Sequence, residues 1–182
     1  MNHLATSKED ILAASRDLIK ENGWAAVSIR AVASRCSVSA GTIYNYYESK
    51  ADLLSDTIES IWHEIFFHPE DEQVFHDVES CISWIYERLE YGNRQFPGFF
   101  SLHSFGFMRD EKTSGKKRMM KTWGHILNGL CEVLENDPKV RADVFDQEFT
   151  EKKFADILFS LILVSMIRQD YDPSSVLMLV KK

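Results

Sequence analysis

The chain has 182 residues, a formal net charge of −7, 45% apolar residues and 27% charged residues, which are ordinary proportions for a globular protein. A chain of this length buries enough surface to fold without disulfides, and its three cysteines, widely spaced, form no paired motif. With no signal peptide and no apolar run long enough to span a bilayer, these totals predict a cytoplasmic protein and argue against a membrane protein or a disulfide scaffold.

The charge is unevenly distributed along the chain. Residues 1–50 contain six Lys or Arg and five Asp or Glu, a net of +1, so the remaining residues carry −8. A strongly negative surface repels polyanions such as nucleic acids. Any contact with nucleic acid is therefore expected from the first fifty residues.

The spacing of apolar residues is helical along nearly the whole chain, and no alternating strand pattern persists, which predicts an all-α fold. The first predicted helix begins at a capping box formed by Ser7 and Asp10, whose side chains can satisfy free backbone N–H groups. Asn22 and Gly23 end this helix, since glycine readily adopts the conformation that closes a helix.

Two short helices follow within the first fifty residues. Ser28 can cap the second helix, and Ser39 can cap a third helix that runs through Tyr47. The break between them, at residues 36–38, has the length found in helix-turn-helix units. In such a unit the second helix enters the major groove of DNA with its N-terminal residues foremost.

A helical wheel divides the third helix into an inner and an outer side. At about 100° per residue, Ile43 and Tyr47 point inward and Tyr46 lies at the border. The outer side carries small, polar and aromatic residues, namely Gly41, Thr42, Tyr44 and Asn45.

The outer residues have the chemistry that DNA recognition needs. Gly41 lets the backbone approach a phosphate or a base edge, and Asn45 can pair with adenine through two hydrogen bonds. Thr42 can contact a thymine methyl group or a phosphate, Tyr44 can donate to a phosphate oxygen, and Lys50 supplies positive charge. Each of these residues taken alone is more often plain surface, so the hypothesis rests on their joint arrangement.

The later helices are predicted from apolar stripes and helix-breaking residues. Asn93 follows Gly92 at one predicted end, and a broken helix is predicted between residues 95 and 108. The predicted helices begin near Ser49, Val74, Met120, Phe149 and Pro173, and the first four of them end near His68, Gly92, Asp137 and Arg168.

The segment "SIRAVASRCSVSAGTIYNYYESKADLL", with the helix before it, resembles the DNA-binding domain of the tetracycline-repressor-like (TetR) transcriptional regulators. The resemblance covers residues 7–56, and the rest of the chain shares only helical character and a suitable length. It rests on Gly23, Ser28, Ala33, Val38-Ser39, Gly41-Thr42-Ile43-Tyr44 and Ser49-Lys50-x-x-Leu53.

The resemblance implies an all-α fold with an N-terminal three-helix DNA-binding domain at residues 1–50, containing the helix-turn-helix, and a larger helical effector-binding and dimerisation domain at residues 51–182. It implies a homodimeric repressor that a small ligand releases from, or modulates on, a double-stranded DNA operator. The residues expected to bind DNA are Ser28, Arg30, Ser39, Ala40, Gly41, Thr42, Tyr44, Asn45, Tyr46 and Lys50.

Two residues depart from the family pattern. Ser37 stands where the family usually has a glycine in the turn, at a position that is expected to need a positive φ. Ala31 stands where an acidic residue often completes the cap of the second helix. Both departures concern stability or turn angle, and neither removes a group that faces DNA.

The second part of the chain supplies candidates for ligand binding and dimerisation. The predicted helix at residues 149–168 is apolar on more than one side, which favours either burial against a second copy or a central place in the chain's own bundle. Aromatic residues are abundant between residues 62 and 123, which suits a hydrophobic or aromatic ligand, although each is individually more often core. The expected ligand-binding residues are Trp62, Phe66, Trp84, Phe100, His103, Phe107 and Trp123.

Other classes of function find less support. His68 and His76 flank three acidic residues, but Pro69 breaks the helix that would align them, so a solvated turn is favoured over a metal site. The sequence holds no glycine-rich phosphate loop, nucleophile elbow or H-E-x-x-H motif, so no enzyme, metal or cofactor is predicted. The remaining alternative is a helical ligand-binding module that does not use its DNA-binding head.

Overall fold

The computed structural model describes residues 6–66, 75–100, 114–141 and 143–181, with side chains in the helix at 114–136 described from residue 123 onward. The regular structure in these ranges is helical, which confirms the all-α prediction, and no helix within them is long and apolar enough to cross a membrane. The elements are α1 (Lys8–Asn22), a 3₁₀ turn (Trp24–Ala26), α2 (Ile29–Arg35), α3 (Ala40–Tyr44), α4 (Lys50–Phe66), α5 (Val78–Gln95), α6 (Ser114–Asn136), α7 (Glu151–Arg168) and α8 (Ser174–Val180).

The described residues form two compact units. The first contains residues 6–66 and 92–100 with 114–119, and the second contains residues 75–91 with 120–141 and 143–181. The first unit therefore contains α4 as well as the three N-terminal helices. The expected domain boundary at residue 50 stays a prediction.

The first unit is built on a core that every N-terminal helix supplies. Ionic contacts join α1 to α4 along their length, since Lys8 Nζ lies 2.6 Å from Asp56 and both Arg16 and Lys20 contact the Glu64 carboxylate, at 3.1 and 2.7 Å. The apolar side chains that are completely buried in these helices are Ile11, Ile19, Val32, Ile43, Leu53, Ile61 and Ile65.

An aromatic cluster, formed by Trp62, Phe66, Phe99 and Phe100, completes the first unit. The Trp62 ring lies 5.7, 5.5 and 5.6 Å from the rings of Phe66, Phe99 and Phe100. Trp24, just after α1, reaches the same cluster through Phe99, at 6.2 Å. The 3₁₀ turn is thereby held against α4 and the residues that follow α5.

Gly92 lies inside α5, and the predicted helix end there is wrong. The helix continues to Gln95, and a Cβ atom at Gly92 would lie 2.6 Å from Ile65 Cδ1 and 3.1 Å from Phe100 Cζ. The glycine therefore serves close packing rather than helix termination.

In the second unit, side-chain hydrogen bonds connect α5 to residues far along the chain. The Tyr86 and Ser165 hydroxyl oxygens lie 2.8 Å apart, and the Asp137 carboxylate accepts a hydrogen bond from the Val78 N–H at 2.9 Å. Asp137 follows the end of α6, as predicted, and it also caps the start of α5. The buried apolar side chains on these helices are Val78, Cys81, Ile82, Ile85, Tyr86, Leu89, Leu130, Leu134, Ala155, Leu158, Ile162 and Met166.

The predicted local signals can be compared with the helices observed. The capping box of Ser7 and Asp10 is confirmed, and Gly23 closes α1 with a φ of 76°. The third helix ends at Tyr44, three residues earlier than predicted, because the N–H groups of Asn45 and Tyr46 turn to carbonyls three residues back. His103, Phe107, the helix stop at His68 and Pro69, and most of the broken helix lie outside the described residues.

Candidate nucleic-acid interface

Serine hydroxyls cap both helices of the helix-turn-helix. The Ser28 hydroxyl accepts a hydrogen bond from the Ala31 N–H at 3.1 Å, and the Ser39 hydroxyl accepts one from the Thr42 N–H at the same distance. The Ser39 and Thr42 hydroxyl oxygens lie 3.0 Å apart. The two caps satisfy backbone donors that each short helix would otherwise leave free.

The turn between α2 and α3 depends on one residue in the left-handed region. Ser37 has a φ of 56°, as predicted for this position. The Ser37 N–H donates to the Ser34 carbonyl at 3.1 Å, and the Val38 N–H donates to the Ala33 carbonyl at 2.9 Å. This pattern is a Schellman motif, which reverses the chain tightly enough to start α3 after only a few residues.

The exposure of the side chains on and after α3 confirms the predicted inner and outer sides. Ile43 is completely buried and Tyr47 is 3% exposed, whereas Tyr44 is 55% exposed. Gly41 and Asn45 are also exposed, and Ala40 and Thr42 are half-buried. The unit therefore presents a small, polar and aromatic surface at the N-terminal end of α3.

Tyr46 has a structural partner that sequence reasoning missed. Its hydroxyl donates a hydrogen bond to the Thr6 carbonyl oxygen at 2.6 Å, and its side chain is half-buried. No sequence pattern predicts this contact, because the two residues are forty positions apart. The expected role of Tyr46 in DNA binding stays a prediction, now limited to the ring.

Neither packing nor backbone conformation requires a glycine at position 41. A Cβ atom there would meet only the Ser39 hydroxyl, at 3.5 Å, which is ordinary contact, and its φ lies outside the left-handed region. The absence of a side chain at this exposed position therefore serves something outside the chain or has no structural reason.

The positive charges of the first fifty residues fall into two groups. Arg30 and Lys50 are exposed and form no ion pair within the part of the chain that the structure describes. Arg35 lies in a bidentate pair with Glu21, which raises the pKa of the guanidinium. The paired cations are Lys8, Arg16, Lys20 and Arg35.

The expected ligand-binding residues are divided between the two units. Trp62, Phe66 and Phe100 lie together in the aromatic cluster of the first unit and are buried. In the second unit, Trp84 packs against Phe75 at 5.3 Å, and Trp123 packs against Phe159 at 5.8 Å. The indole N–H groups of Trp62 and Trp123 are buried without a hydrogen-bond acceptor.

The cysteine and metal-ligand types add no further site to this picture. Cys36, Cys81 and Cys131 are free thiols, and burial raises the pKa of Cys81 to about 12, which suppresses its reactivity. In the described ranges, no three His, Cys, Asp or Glu side chains are grouped so that they could hold a metal ion.

Sequence comparison finds a family that the first helices match. Residues 11–57 match the family described as "Bacterial regulatory proteins, tetR family". Over 48 residues the chain is 38% identical to the HTH-type transcriptional regulator UidR of Escherichia coli (strain K12), covering 26% of this chain and 24% of that protein. The match therefore spans about a quarter of the length of the curated relatives found.

Comparison with solved structures extends the similarity to the whole fold. The transcriptional regulator FadR from Bacillus subtilis, solved with stearoyl-CoA, has a TM-score of 0.67 at 18% identity, covering 97% of this chain and 98% of that chain. RolR in complex with resorcinol has a TM-score of 0.59 at 18% identity, covering 94% and 86%. GusR of Salmonella enterica has a TM-score of 0.61 at 18% identity, covering 100% and 95%. At these identities the likeness shows the fold alone.

Proposed function

We propose that this chain belongs to the tetR family of bacterial regulatory proteins and is a homodimeric, sequence-specific DNA-binding regulator that acts as a repressor and responds to a small ligand. The observation that carries this proposal is the outward side of α3, where Tyr44, Asn45 and Gly41 are exposed while Ile43 and Tyr47 hold the helix from within. A short helix fixed in this way presents its N-terminal residues for insertion into a major groove.

The exposed residues divide into base-reading and backbone-binding roles. Asn45 has the side chain that pairs bidentately with adenine, and Gly41 and Ala40 let the helix backbone approach the base edges. Tyr44 and Thr42 have hydroxyl groups that suit phosphate oxygens. Phosphate contacts of this kind fix the register of the protein on the duplex and leave the choice of sequence to the base contacts.

The free cations supply the salt-dependent part of the affinity. Arg30 and Lys50 are available for phosphates because no ion pair within the described ranges engages them, and Ser28 sits beside Arg30 at the N-terminus of α2. Each cation that neutralises a phosphate releases a counterion, so affinity falls as salt concentration rises.

The proposal is tested by measuring binding as a function of salt. Duplexes would be selected from a random pool with the full chain, and the affinity for the recovered duplex measured by fluorescence anisotropy from low to moderate salt. The slope of log affinity against log salt is expected to shrink by about 0.9 for each of Arg30→Ala and Lys50→Ala.

Arg35→Ala is the matched control, since Arg35 is already paired with Glu21 and its loss is expected to leave the slope unchanged. A chain that selects no specific duplex, or whose affinity does not depend on salt, contradicts the proposed function.

A second copy of the chain is the expected partner. Ile157, Val164 and Ile167 on α7 are 44–51% exposed, and Met178 and Leu179 on α8 are 61% and 45% exposed. Apolar side chains left outward on the last two helices favour packing against another protein surface. Pairing of two copies suits DNA recognition, because two recognition helices about 34 Å apart can read successive major grooves.

The ligand is proposed to be small and largely apolar. The aromatic residues of α4 and of residues 96–100 provide the kind of lining that small-molecule sites have. FadR with stearoyl-CoA and RolR with resorcinol show that proteins of this fold hold very different molecules, one with a long acyl chain and one with a small phenol. The ligand would control DNA binding to the extent that it binds one arrangement of the dimer better than another.

The competing proposal is a ligand-binding module that does not use its head. The exposure of Tyr44 and Lys50 favours the regulator. The double variant Tyr44→Ala with Lys50→Ala distinguishes the two proposals. A regulator loses affinity for the selected duplex, whereas a pure ligand-binding module selects no specific duplex and keeps its ligand affinity in the variant.

A further inference from the structure

Exposed apolar side chains are concentrated in one part of the described chain. Among the residues that the structure describes, seven large hydrophobic side chains are exposed, and one of them is Tyr44, on the outward side of α3. The others all lie between residues 149 and 179, and they are Phe149, Ile157, Val164, Ile167, Met178 and Leu179. Where exposed apolar side chains form a contiguous surface, they mark interaction sites on soluble proteins.

The exposed residues of α7 lie opposite its buried side. Ala155, Leu158, Ile162 and Met166 are spaced by three or four residues and are buried. Ile157 and Val164 are separated by seven residues, two turns of helix, and project from the other side, with Phe154 and Leu161 half-buried beside them. The outward stripe therefore begins at Phe154, in the first turn of α7.

Two further aromatic rings extend this stripe beyond the helix. The ring of Phe154 lies 6.0 Å from that of Phe145 and 5.8 Å from that of Phe149, and the rings of Phe145 and Phe149 are 5.8 Å apart. Phe149 is 37% exposed, whereas Phe145 and Phe154 are half-buried. We call these three residues the phenylalanine cluster.

A hydrogen-bonded turn holds Phe149 at the surface. The Asp146 carboxylate accepts hydrogen bonds from the N–H groups of Glu148 and Phe149, at 2.7 and 2.6 Å, and the Asp146 N–H donates to the Phe149 carbonyl at 2.9 Å. Thr150 then caps α7 by accepting from the Lys153 N–H at 3.3 Å. The backbone at Phe149 is thus already ordered, so covering this residue with a partner requires little further ordering of the chain.

The exposed apolar area of α7 and α8 alone is small for a stable dimer. The burial energy of an aliphatic side chain, divided by the energy per unit of apolar area, gives the area that the side chain can bury. On this basis five half-exposed aliphatic side chains can bury at most about 300 Å² of apolar surface. A standard interface buries about 800 Å² per partner, of which somewhat more than half is apolar. An interface on these helices must therefore recruit neighbouring apolar surface, and the phenylalanine cluster is continuous with the α7 stripe.

We propose that the phenylalanine cluster is part of the contact with a second copy of this chain, and that Phe149 is an anchor of that contact. This inference rests on the proposed homodimer and specifies which residues extend it. The charges around the cluster are of both signs, since Glu148 and Glu151 are followed by Lys152 and Lys153. A surface carrying both signs can be complementary to a rotated copy of itself.

The inference is tested by the dimer dissociation constant of the full chain, measured by sedimentation velocity over a range of concentrations. Phe149→Ser is expected to raise this constant at least tenfold, as loss of a buried aromatic anchor does. Phe149→Leu, which keeps apolar contact, is expected to recover most of the affinity. Gln147→Ser, an exposed change on the same turn, is the matched control and is expected to have no effect.

Val164→Asp, on the α7 stripe, separates the two proposals. If Val164→Asp dissociates the dimer and Phe149→Ser weakens it, the inference is supported. If Val164→Asp dissociates the dimer but Phe149→Ser leaves it unchanged, the inference is overturned and the proposed homodimer is retained. A chain that is monomeric throughout, or one that dimerises equally well in both variants, contradicts the proposed α7 contact itself.

A loss of structure in Phe149→Ser would be seen by circular dichroism, and the wild-type chain then provides the test. Hydrogen exchange of the amides at residues 145–154 is expected to slow as dilute protein is concentrated into dimers. Exchange that is independent of concentration in this segment overturns the inference.

Discussion

Single residues in this protein show whether a side chain, or its absence, serves the fold or something outside it. Gly92 and Gly41 make the contrast clear. At Gly92 an added Cβ atom would lie 2.6 Å from a side-chain atom of Ile65, whereas at Gly41 it would meet only the Ser39 hydroxyl at 3.5 Å. The first glycine is required by packing, and the second is free to be selected for binding.

We therefore expect Gly41→Ala to leave the fold intact and to weaken DNA binding. Alanine in a helix is more favourable than glycine by about 0.5–1 kcal/mol, so the free energy of unfolding should rise slightly. The added methyl group would stand between α3 and the bases, and the affinity for a selected duplex should fall at least tenfold. Thermal denaturation and fluorescence anisotropy measure the two quantities.

Gly92→Ala is the comparison, because crowding against Ile65 and Phe100 should lower the free energy of unfolding by about 1–3 kcal/mol. If Gly41→Ala bound the duplex as well as the wild-type chain, α3 would not approach the bases at this residue.

Tyr44 and Tyr46 offer a second contrast at the same scale. Tyr46→Phe removes the donor to the Thr6 carbonyl, and we expect a loss of about 1 kcal/mol in the free energy of unfolding. Tyr44→Phe removes a solvent-exposed hydroxyl, so the free energy of unfolding should stay within about 0.5 kcal/mol of the wild-type value. Chemical denaturation of both variants measures these changes.

The affinity for a selected duplex provides the complementary measurement. Tyr44→Phe should weaken it, since this hydroxyl is free to reach a phosphate oxygen. A stability loss for Tyr44→Phe with none for Tyr46→Phe would reverse the roles assigned to the two hydroxyls.

Among the structural elements, the turn between α2 and α3 carries the clearest strain. Ser37 adopts a φ of 56°, where a Cβ atom is unfavourable, and the Schellman bonds of Ser37 and Val38 hold it there. The turn sets the angle at which α3 leaves α2, so the geometry of the candidate DNA-binding surface depends on a residue that lies outside α3.

Ser37→Gly should relieve this strain and raise the free energy of unfolding by about 1 kcal/mol. Ser37→Val should lower it, because a branched side chain tolerates the left-handed region least. Equilibrium unfolding in urea compares the two variants with the wild-type chain. A glycine variant less stable than the wild type would mean that the serine side chain makes a contribution larger than the strain.

At the scale of the whole molecule, acidic groups link stability to pH. Several carboxylates accept hydrogen bonds from the backbone of the next turn, and Asp77 is the clearest case. Hydrogen bonds from the Ser80 N–H and the Lys139 ammonium lower the pKa of Asp77 from 3.8 to about 2. A carboxyl group whose pKa is lower in the folded chain stabilises the fold in its ionised form.

The contribution of Asp77 should therefore be complete above about pH 4 and should be lost as the pH falls toward 2. In Asp77→Asn this group no longer titrates, so the unfolding temperature of the variant should fall less steeply over that interval. Calorimetry at closely spaced pH values measures the difference. Parallel curves for wild type and variant would show that Asp77 does not contribute to acid sensitivity.

Local signals in the sequence predicted local structure well. Ser7, Ser28 and Ser39 cap the helices where expected, and Gly23 and Ser37 have the positive φ angles that their positions suggested. These features depend on backbone groups within a few residues, so neighbouring letters of the sequence are enough to specify them.

Contacts between distant residues could not be read in the same way. At Gly92 the residue type predicts a helix end, but the glycine allows close packing against Ile65 and Phe100. At Tyr46 the sequence predicts a DNA contact, but the hydroxyl donates a hydrogen bond to the Thr6 carbonyl. Both outcomes depend on which residues the fold brings together, and no short pattern encodes that.

The sequence alone therefore determined the helical class, the caps, the turn and the inner and outer sides of α3, because each follows from interactions within one or two turns of chain. Only the tertiary structure decided which cations of the first fifty residues form ion pairs, which glycine the packing requires, and that Phe149 stays exposed beside the outward stripe of α7. Pairing and burial depend on the three-dimensional neighbours of a side chain, and those neighbours come from parts of the sequence that lie far apart.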